Sequence, residues 1–139
     1  MIIILLSLAN IAPNFKSSIT FKDEWELLTK ATQHESKGEP FIGQLFVAQL
    51  MINRQEGCKC PIEEVLSKRF HSNPNYLKNI QKEVLDTHLM KKLRILDNVK
   101  IHNFWYFYNP ETATDKQFIK AMKKKKNKLV IYNHIFIEK

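Results

Sequence analysis

Residues 41–53 are apolar on almost every side, and this segment constrains the fold more than any other. It follows Gly38 and Pro40, which are typical of a helix end and of a new helix start. Its polar residues recur at roughly helical spacing: Gln44, Gln49 and Asn53. They predict one strip that faces a cleft or a polar neighbour. Because a helix that is hydrophobic all round must be buried, we expect this one at the centre of the domain.

The remaining patterns predict a mostly helical domain with a small sheet. Further helices are expected over residues 24–34, 61–66, 74–93 and 115–124. Strands are expected over residues 101–108 and 129–137, which are rich in β-branched and aromatic side chains. No internal repeat or long linker interrupts the 139 residues. The predicted fold class is therefore α+β, with one domain over residues 20–139.

The N-terminal apolar segment, residues 1–19, allows two interpretations. Its first twelve residues read MIIILLSLANIA, which is too short a run to span a bilayer. They resemble the apolar region of a signal peptide, with Ala9 and Ala12 near a candidate cleavage point, although no Lys or Arg precedes them. The alternative is a first buried segment of the domain, or an extra helix that covers the core. The first interpretation implies export, and the second implies that the protein is cytoplasmic before its release.

Composition excludes some functions and leaves others open. Only three glycines occur, so a Gly-rich phosphate cradle is absent. The formal net charge of +8 favours polyanionic surroundings such as nucleic acid, anionic lipid or anionic cell-wall polymer. The lysine run over residues 123–128 is expected to be a solvated loop or helix end. Cys58 and Cys60 are too close in sequence for an easy disulfide and lack a second pair for zinc, so we expect free thiols in a turn.

Two carboxylates, Glu35 and Glu39, flank a glycine between the first two predicted helices. Glu35 continues the helical row of Leu28 and Ala31, and it ends the helix. Glycoside cleavage needs a carboxylic acid that gives its proton to the scissile oxygen. Apolar neighbours and the negative end of a helix dipole both favour a protonated carboxyl. Spacing alone still leaves the commoner role of a solvated helix cap open.

Three ordered blocks of sequence resemble the SleB-type cell-wall hydrolases. Residues 35–54, ESKGEPFIGQLFVAQLMINR, resemble the opening signature E-A/S-x-G-E-x-x-x-G-Q-x-x-V-A-x-x-x-x-N-R. Residues 107–113, FYNPETA, resemble the segment F-Y-N-P-x-x-A. Residues 131–136, IYNHIF, resemble the closing I-G-N-H-x-F, with Tyr132 in place of the glycine. The family includes spore cortex-lytic enzymes and phage endolysin-like proteins of the lysozyme-like superfamily, and residues 78–100 match it poorly.

The resemblance implies a lysozyme-like fold with a substrate groove between two lobes. It also implies cleavage of the bond between N-acetylmuramic acid and N-acetylglucosamine in peptidoglycan, generally as a lytic transglycosylase, with no metal and no cofactor. Glu35 matches the catalytic Glu by position. Glu39 matches the second Glu, which contacts substrate or caps the helix that begins at Pro40. Asn53 and Arg54 match positions expected to tie the buried helix to its surrounding loops.

Four further residues are candidates for the wall of the groove: Phe70, Tyr108, Asn109 and His134. Aromatic faces stack on sugar rings, and amide or imidazole groups bond to acetamido arms. Each could instead be a packed core residue or a turn former. Around Phe70 the sequence Arg69-Phe70-His71-Ser72 departs from the family pattern.

Other functions remain as alternatives to the enzyme. One is a catalytically inactive peptidoglycan-binding domain. Another is a basic protein that binds nucleic acid without sequence preference, although the aromatic residues 104–108 are separated from the lysines 123–128 along the chain. We expect a monomer whose partners are glycan strands, with no stable membrane span, located outside the cell, in the cell wall or on a virion. Its size and Lys/Asn/Ile-rich composition favour a phage or a low-GC bacterium as the source.

Overall fold

The computed structural model describes residues 21–69 and 75–139, in which most of the helices precede a three-stranded sheet and one helix lies between its first two strands. The helices are α1 (Phe21–Glu35), α2 (Phe41–Cys58), α3 (Ile62–Arg69), α4 (Tyr76–Gln81), α5 (Thr87–Leu93) and α6 (Lys116–Lys123), with a 3₁₀ helix over Arg94–Asp97. The strands are β1 (Phe104–Tyr108), β2 (Lys128–Ile131) and β3 (His134–Glu138). The predicted α+β class is confirmed. The segment 1–19 and Phe70 lie outside the described residues.

Helix α2 is the centre of the domain, as its apolar sequence predicted. Val47, Leu50 and Met51 are almost completely buried, and α2 packs against α1, α3 and β1. The helix runs five residues beyond the predicted end at Asn53. None of the helices in residues 21–69 and 75–139 is long and apolar enough to cross a membrane.

Two residues of the polar strip of α2, Gln49 and Asn53, hold the segment that leads into the sheet, which is the polar neighbour expected for them. The Gln49 side chain accepts the backbone N–H of Ile101 at 3.0 Å. The Asn53 amide donates to two carbonyls of residues 102–104, at 3.0 and 2.9 Å. Arg54 Nε donates to the carbonyl of Trp105 at 2.8 Å. The tying role predicted for Asn53 and Arg54 is therefore confirmed, and it fastens β1 to the central helix.

The single helix predicted over residues 74–93 is wrong, because α4 and α5 are separate. Asp86 starts α5 by accepting the N–H of Leu89 at 2.9 Å. In the connection, Gln33 of α1 donates to the carbonyl of Val84 at 2.7 Å and accepts from the N–H of Asp86 at 3.0 Å. Val84, in this connection, is 85% exposed. Hydrogen bonds from α1 thus replace those that a continuous helix would make.

The single strand predicted over residues 129–137 is also wrong, because β2 and β3 form a hairpin. The sheet order is β1-β3-β2, and both pairs are antiparallel. The chain reverses at Tyr132, whose φ of 52° lies in the left-handed region that favours glycine. Because Tyr132 stands where the closing motif has glycine, this turn was not predicted from the sequence. One face of β3 carries Phe136 into the main core, and the other carries Ile137 toward α6.

Cys58 and Cys60 form a disulfide, which corrects the expectation of free thiols. Lys59, at the end of α2, adopts a left-handed conformation with φ of 53°. This folds the chain back so that the two Cα atoms lie 5.2 Å apart, within the usual range for a disulfide.

Candidate active site

A groove of about 800 Å³ lies between the helical part and the sheet. The turn after α1, the end of β1 with its following loop, the start of α6 and the β2–β3 turn all contribute to its lining. The structure brings five of the predicted site residues to this groove: Glu35, Glu39, Tyr108, Asn109 and His134. Phe70 lies outside the described residues.

Glu35 is the last residue of α1 and is partly exposed on the groove. Its row is apolar as expected, since Leu28 and Ala31 are 3% and 0% exposed. The hydroxyl of Tyr76, at the start of α4, donates to Glu35 Oε1 at 2.8 Å. Tyr76 is itself buried, and its ring meets that of His34 edge-on at 5.7 Å. A rigid neighbour therefore orients one oxygen of the carboxyl group.

The turn between α1 and α2 determines where Glu39 lies. Ser36 is fully buried, and its backbone N–H and hydroxyl both donate to the carbonyl of Thr32. Gly38 has a φ of +81°, which a glycine adopts without strain. The N–H of Glu39 then donates to the carbonyl of Ser36 at 3.0 Å. The turn thus sends Glu39 inward, and its side chain does not cap α2.

Glu39 and His134 form a buried pair on the groove. His134 Nδ1 lies 3.0 Å from Glu39 Oε1, and the two side chains are only 9% and 2% exposed. Glu39 Oε2 is buried without a hydrogen-bond partner among the described residues. A Cβ at Gly43 would lie 3.4 Å from that oxygen and 3.3 Å from Glu39 Cβ. The glycine of the opening signature therefore leaves room for the second Glu.

The other predicted wall residues have structural contacts as well. Tyr108 is 8% exposed and meets the Phe118 ring edge-on at 5.9 Å. The Asn109 side chain accepts the N–H of Glu111 at 2.9 Å, and its carbonyl accepts the N–H of Ala113 at 2.9 Å. Asn109 is thus a turn former, which leaves its amide NH₂ as the group it can offer to a ligand.

Sequence reasoning missed Tyr76 and the groove position of Arg54. Nothing in the local sequence marks Tyr76, because it meets Glu35 only after α4 packs on α1. Arg54 lines the groove in addition to its structural bond, and its guanidinium carbon lies 5.3 Å from the Tyr106 ring centroid. The aromatic residues 104–108 and the lysines 123–128 are separated along the chain but not in the fold, since Lys125 Nζ lies 5.8 Å from the Tyr106 ring centroid.

Two titratable groups away from the groove have shifted pKa values. Burial lowers the pKa of His102 below 6.5, and the charge of Lys100 adds to this, against a hydrogen bond to the Phe46 carbonyl. His102 Nδ1 accepts the N–H of Phe104 at 2.9 Å, so the neutral ring carries its proton on Nε2. Burial raises the pKa of Glu24 above 4.5, against hydrogen bonds from the Ile62 N–H and the Gln55 side chain.

No protein-family model matches the chain, and no curated protein sequence matches it. Its fold is similar to that of the catalytic domain of the SleB protein from Bacillus cereus, with a TM-score of 0.67 and 20% identity over 89% of this chain and 96% of that one. It is also similar to the catalytic domain of the germination-specific lytic transglycosylase SleB from Bacillus anthracis, with a TM-score of 0.55 and 21% identity over 88% and 100% of the two chains. The predicted resemblance to SleB-type hydrolases is therefore confirmed as a likeness of fold.

Proposed function

We propose that this protein cleaves the bond between N-acetylmuramic acid and N-acetylglucosamine in peptidoglycan, as a lytic transglycosylase with Glu35 as its acid and base. The observation that carries the proposal is Glu35 on the wall of the groove, with one carboxyl oxygen held by Tyr76 at 2.8 Å. The likeness of fold to SleB catalytic domains supports the same chemistry.

The reaction uses one carboxyl group twice. Glu35 gives its proton to the glycosidic oxygen while the bond from that oxygen to the anomeric carbon of the muramic residue breaks. The resulting carboxylate then takes the proton of the muramic 6-hydroxyl as this oxygen bonds to the anomeric carbon. The product is a 1,6-anhydro sugar, and Glu35 ends the cycle protonated as it began.

The other carboxylates of the groove favour this single-acid mechanism. Hydrolysis with two carboxylates would need a second acid free to face the bond. The remaining acidic residues that line the groove are Glu39 and Asp115. Glu39 is 2% exposed and paired with His134, whereas Asp115 accepts the N–H of Phe118 at 3.0 Å as the cap of α6. Glu39 is therefore shielded from solvent, and one oxygen of the exposed Asp115 is engaged in the helix cap.

Glu39 is better suited to bind substrate than to react with it. Its Oε2 is desolvated without a hydrogen-bond partner in the described structure, which is costly unless a ligand supplies a donor. An N–H of an acetamido arm or a hydroxyl of the sugar has the required chemistry. Tyr108, Asn109 and His134 would form the neighbouring wall. The site of action is then peptidoglycan outside the cytoplasm.

The test is mass spectrometry of the soluble fragments that wild type and Glu35→Gln release from purified peptidoglycan. Anhydro-muropeptides from wild type alone are expected. Glu26→Gln, on the same helix but away from the groove, is the matched control and should keep full activity. Products with reducing ends would indicate that the enzyme hydrolyses the bond instead of acting as a transglycosylase. Failure of wild type to release fragments from several wall types, with binding retained, would favour the inactive peptidoglycan-binding domain.

A further inference from the structure

The positive charge of this protein is concentrated at its C-terminal end. Residues 116–139 contain eight lysines and one acidic residue, Glu138, and so carry +7 of the chain's net +8. Most of these lysines are exposed, including Lys120, Lys123, Lys124 and Lys126. The rest of the chain is nearly neutral, so the charge belongs to one surface and not to the whole molecule.

Helix α6 organises this surface. Lys116, Lys120 and Lys123 are spaced by four and three residues and therefore share one face of the helix. Phe118 and Met122 lie on the opposite side and belong to the core cluster against the sheet. Beyond the helix the lysines continue through residues 124–126 to Lys128, whose Nζ donates to the carbonyl of Lys123 at 3.0 Å. We call the exposed lysines of residues 116–128 the lysine surface.

The lysine surface begins at the rim of the groove. Asp115 and Phe118, at the start of α6, line the groove, and the helix then leads away from it. Eight helical residues cover about 12 Å. A polymer attached to a glycan strand in the groove would therefore meet lysines within the first turns of α6.

Other polyanions fit this surface less well. Two nearby aromatic rings, those of Trp105 and Tyr106, are only partly exposed. Lys139 Nζ lies 4.6 Å from the Trp105 ring centroid, and Lys125 Nζ lies 5.8 Å from that of Tyr106. These lysines compete with the bases of a single strand for the two ring faces. The apolar side of α6 is buried in the protein, so it cannot insert into a lipid bilayer as an interfacial helix does.

We propose that the lysine surface binds an anionic cell-wall polymer with repeating phosphodiester groups, next to the glycan in the groove. Lysine ammonium groups act as point charges for phosphate, and a row of them suits a repeating ligand. This proposal rests on the proposed function in one respect, because the polymer is placed next to a glycan strand that occupies the groove. Binding does not require catalysis, so the two can fail separately.

The test is cosedimentation of Glu35→Gln protein with Gram-positive cell walls before and after hydrofluoric acid has removed their phosphate polymers. Native walls should bind more tightly than extracted walls, and binding should weaken as NaCl rises from about 50 to about 300 mM, because salt screens interactions between exposed charges. The variant K120Q/K123Q/K124Q/K126Q removes four charges from the lysine surface. Because an exposed charge pair changes an equilibrium by about 1.5- to 5-fold, four lost lysines should weaken binding about fivefold or more.

The matched control is K59Q/K78Q/K82Q/K91Q, which removes four exposed lysines outside the lysine surface. Its net charge is therefore the same as that of K120Q/K123Q/K124Q/K126Q. It should bind native walls nearly as wild type does. Equal weakening in both variants, or equal binding to extracted walls, would overturn the proposal. Tighter binding to a DNA oligonucleotide or to anionic phospholipid vesicles than to the phosphate polymer released from walls would also overturn it. Fragment release by wild type reports separately on the proposed function.

Discussion

Replacing Tyr76 with phenylalanine removes one hydroxyl from beside Glu35 and leaves the ring in place. Tyr76 is 5% exposed, and its hydroxyl donates to Glu35 Oε1 at 2.8 Å. A hydrogen bond to an ionised carboxylate, the form that Glu35 takes once it has given up its proton, contributes about 1.5–3 kcal/mol when no other partner replaces it. Because Glu35 is partly exposed, water can replace the lost donor. We therefore expect the free energy of unfolding to fall by less than about 1 kcal/mol.

Catalysis should suffer more than stability from Tyr76→Phe. The substrate excludes water from the groove, so the lost hydroxyl is not replaced when the reaction occurs. A carboxyl group that samples several orientations spends less time in line with the scissile oxygen. A loss of about 1.5–3 kcal/mol of transition-state stabilisation lowers kcat about 10- to 100-fold. KM should change by less than about threefold, because Tyr76 does not line the groove.

The assay is the initial rate of anhydro-muropeptide release from soluble glycan strands, over a range of strand concentrations. Tyr132→Phe is the matched control, since Tyr132 is 68% exposed and is not among the described residues that line the groove. A wild-type kcat in Tyr76→Phe would refute the reasoning that this hydroxyl orients the catalytic carboxyl. A raised KM with unchanged kcat would instead make Tyr76 part of the binding surface.

Three further predictions concern stability, measured by chemical denaturation. Because burial lowers the pKa of His102 in the folded protein, the free energy of unfolding should fall as pH drops through 6.5. The raised pKa of Glu24 has the opposite effect on the pH dependence, but it is the same in wild type and in His102→Asn. The free energy of unfolding should therefore depend less on pH in His102→Asn than in wild type. Gly57→Ala should lower the free energy of unfolding by about 1–2 kcal/mol, since the new Cβ overlaps the Trp105 ring. In a Trp105→Ala background the same substitution should be stabilising, and a destabilising effect there would contradict this reasoning. Tyr132→Gly should be more stable than Tyr132→Ala by about 1 kcal/mol, because φ is 52° there, and equal stability would count against strain at this turn.

The centre of the fold was predictable because its signals are local. The all-round apolar segment identified α2, and Gly38 and Pro40 marked the turn before it. The position of Glu35 at the end of an apolar row also followed from helical spacing alone. Its chemical role did not, since a carboxylate at a helix end has the same spacing whether or not it meets a substrate.

The failures arise where distant residues determine the local structure. The pattern over residues 74–93 is periodic, and only the contacts of Gln33 with the connection show why the helix breaks. The hairpin at Tyr132 was hidden because a bulky residue occupies a left-handed position. Tyr76 meets Glu35 from 41 residues away, and no local pattern could have found it.

The opening and closing sequence blocks act as one structural unit. Gly43 leaves room for Glu39, and Asn53 holds the backbone that leads into β1. Because β1 pairs with β3, this hold also positions His134, the first residue of β3. His134 then reaches Glu39 at 3.0 Å, across 95 residues of sequence. A change at Asn53 should therefore disturb the groove through the sheet, although within residues 21–69 and 75–139 its side chain bonds only to backbone carbonyls and to Gln49.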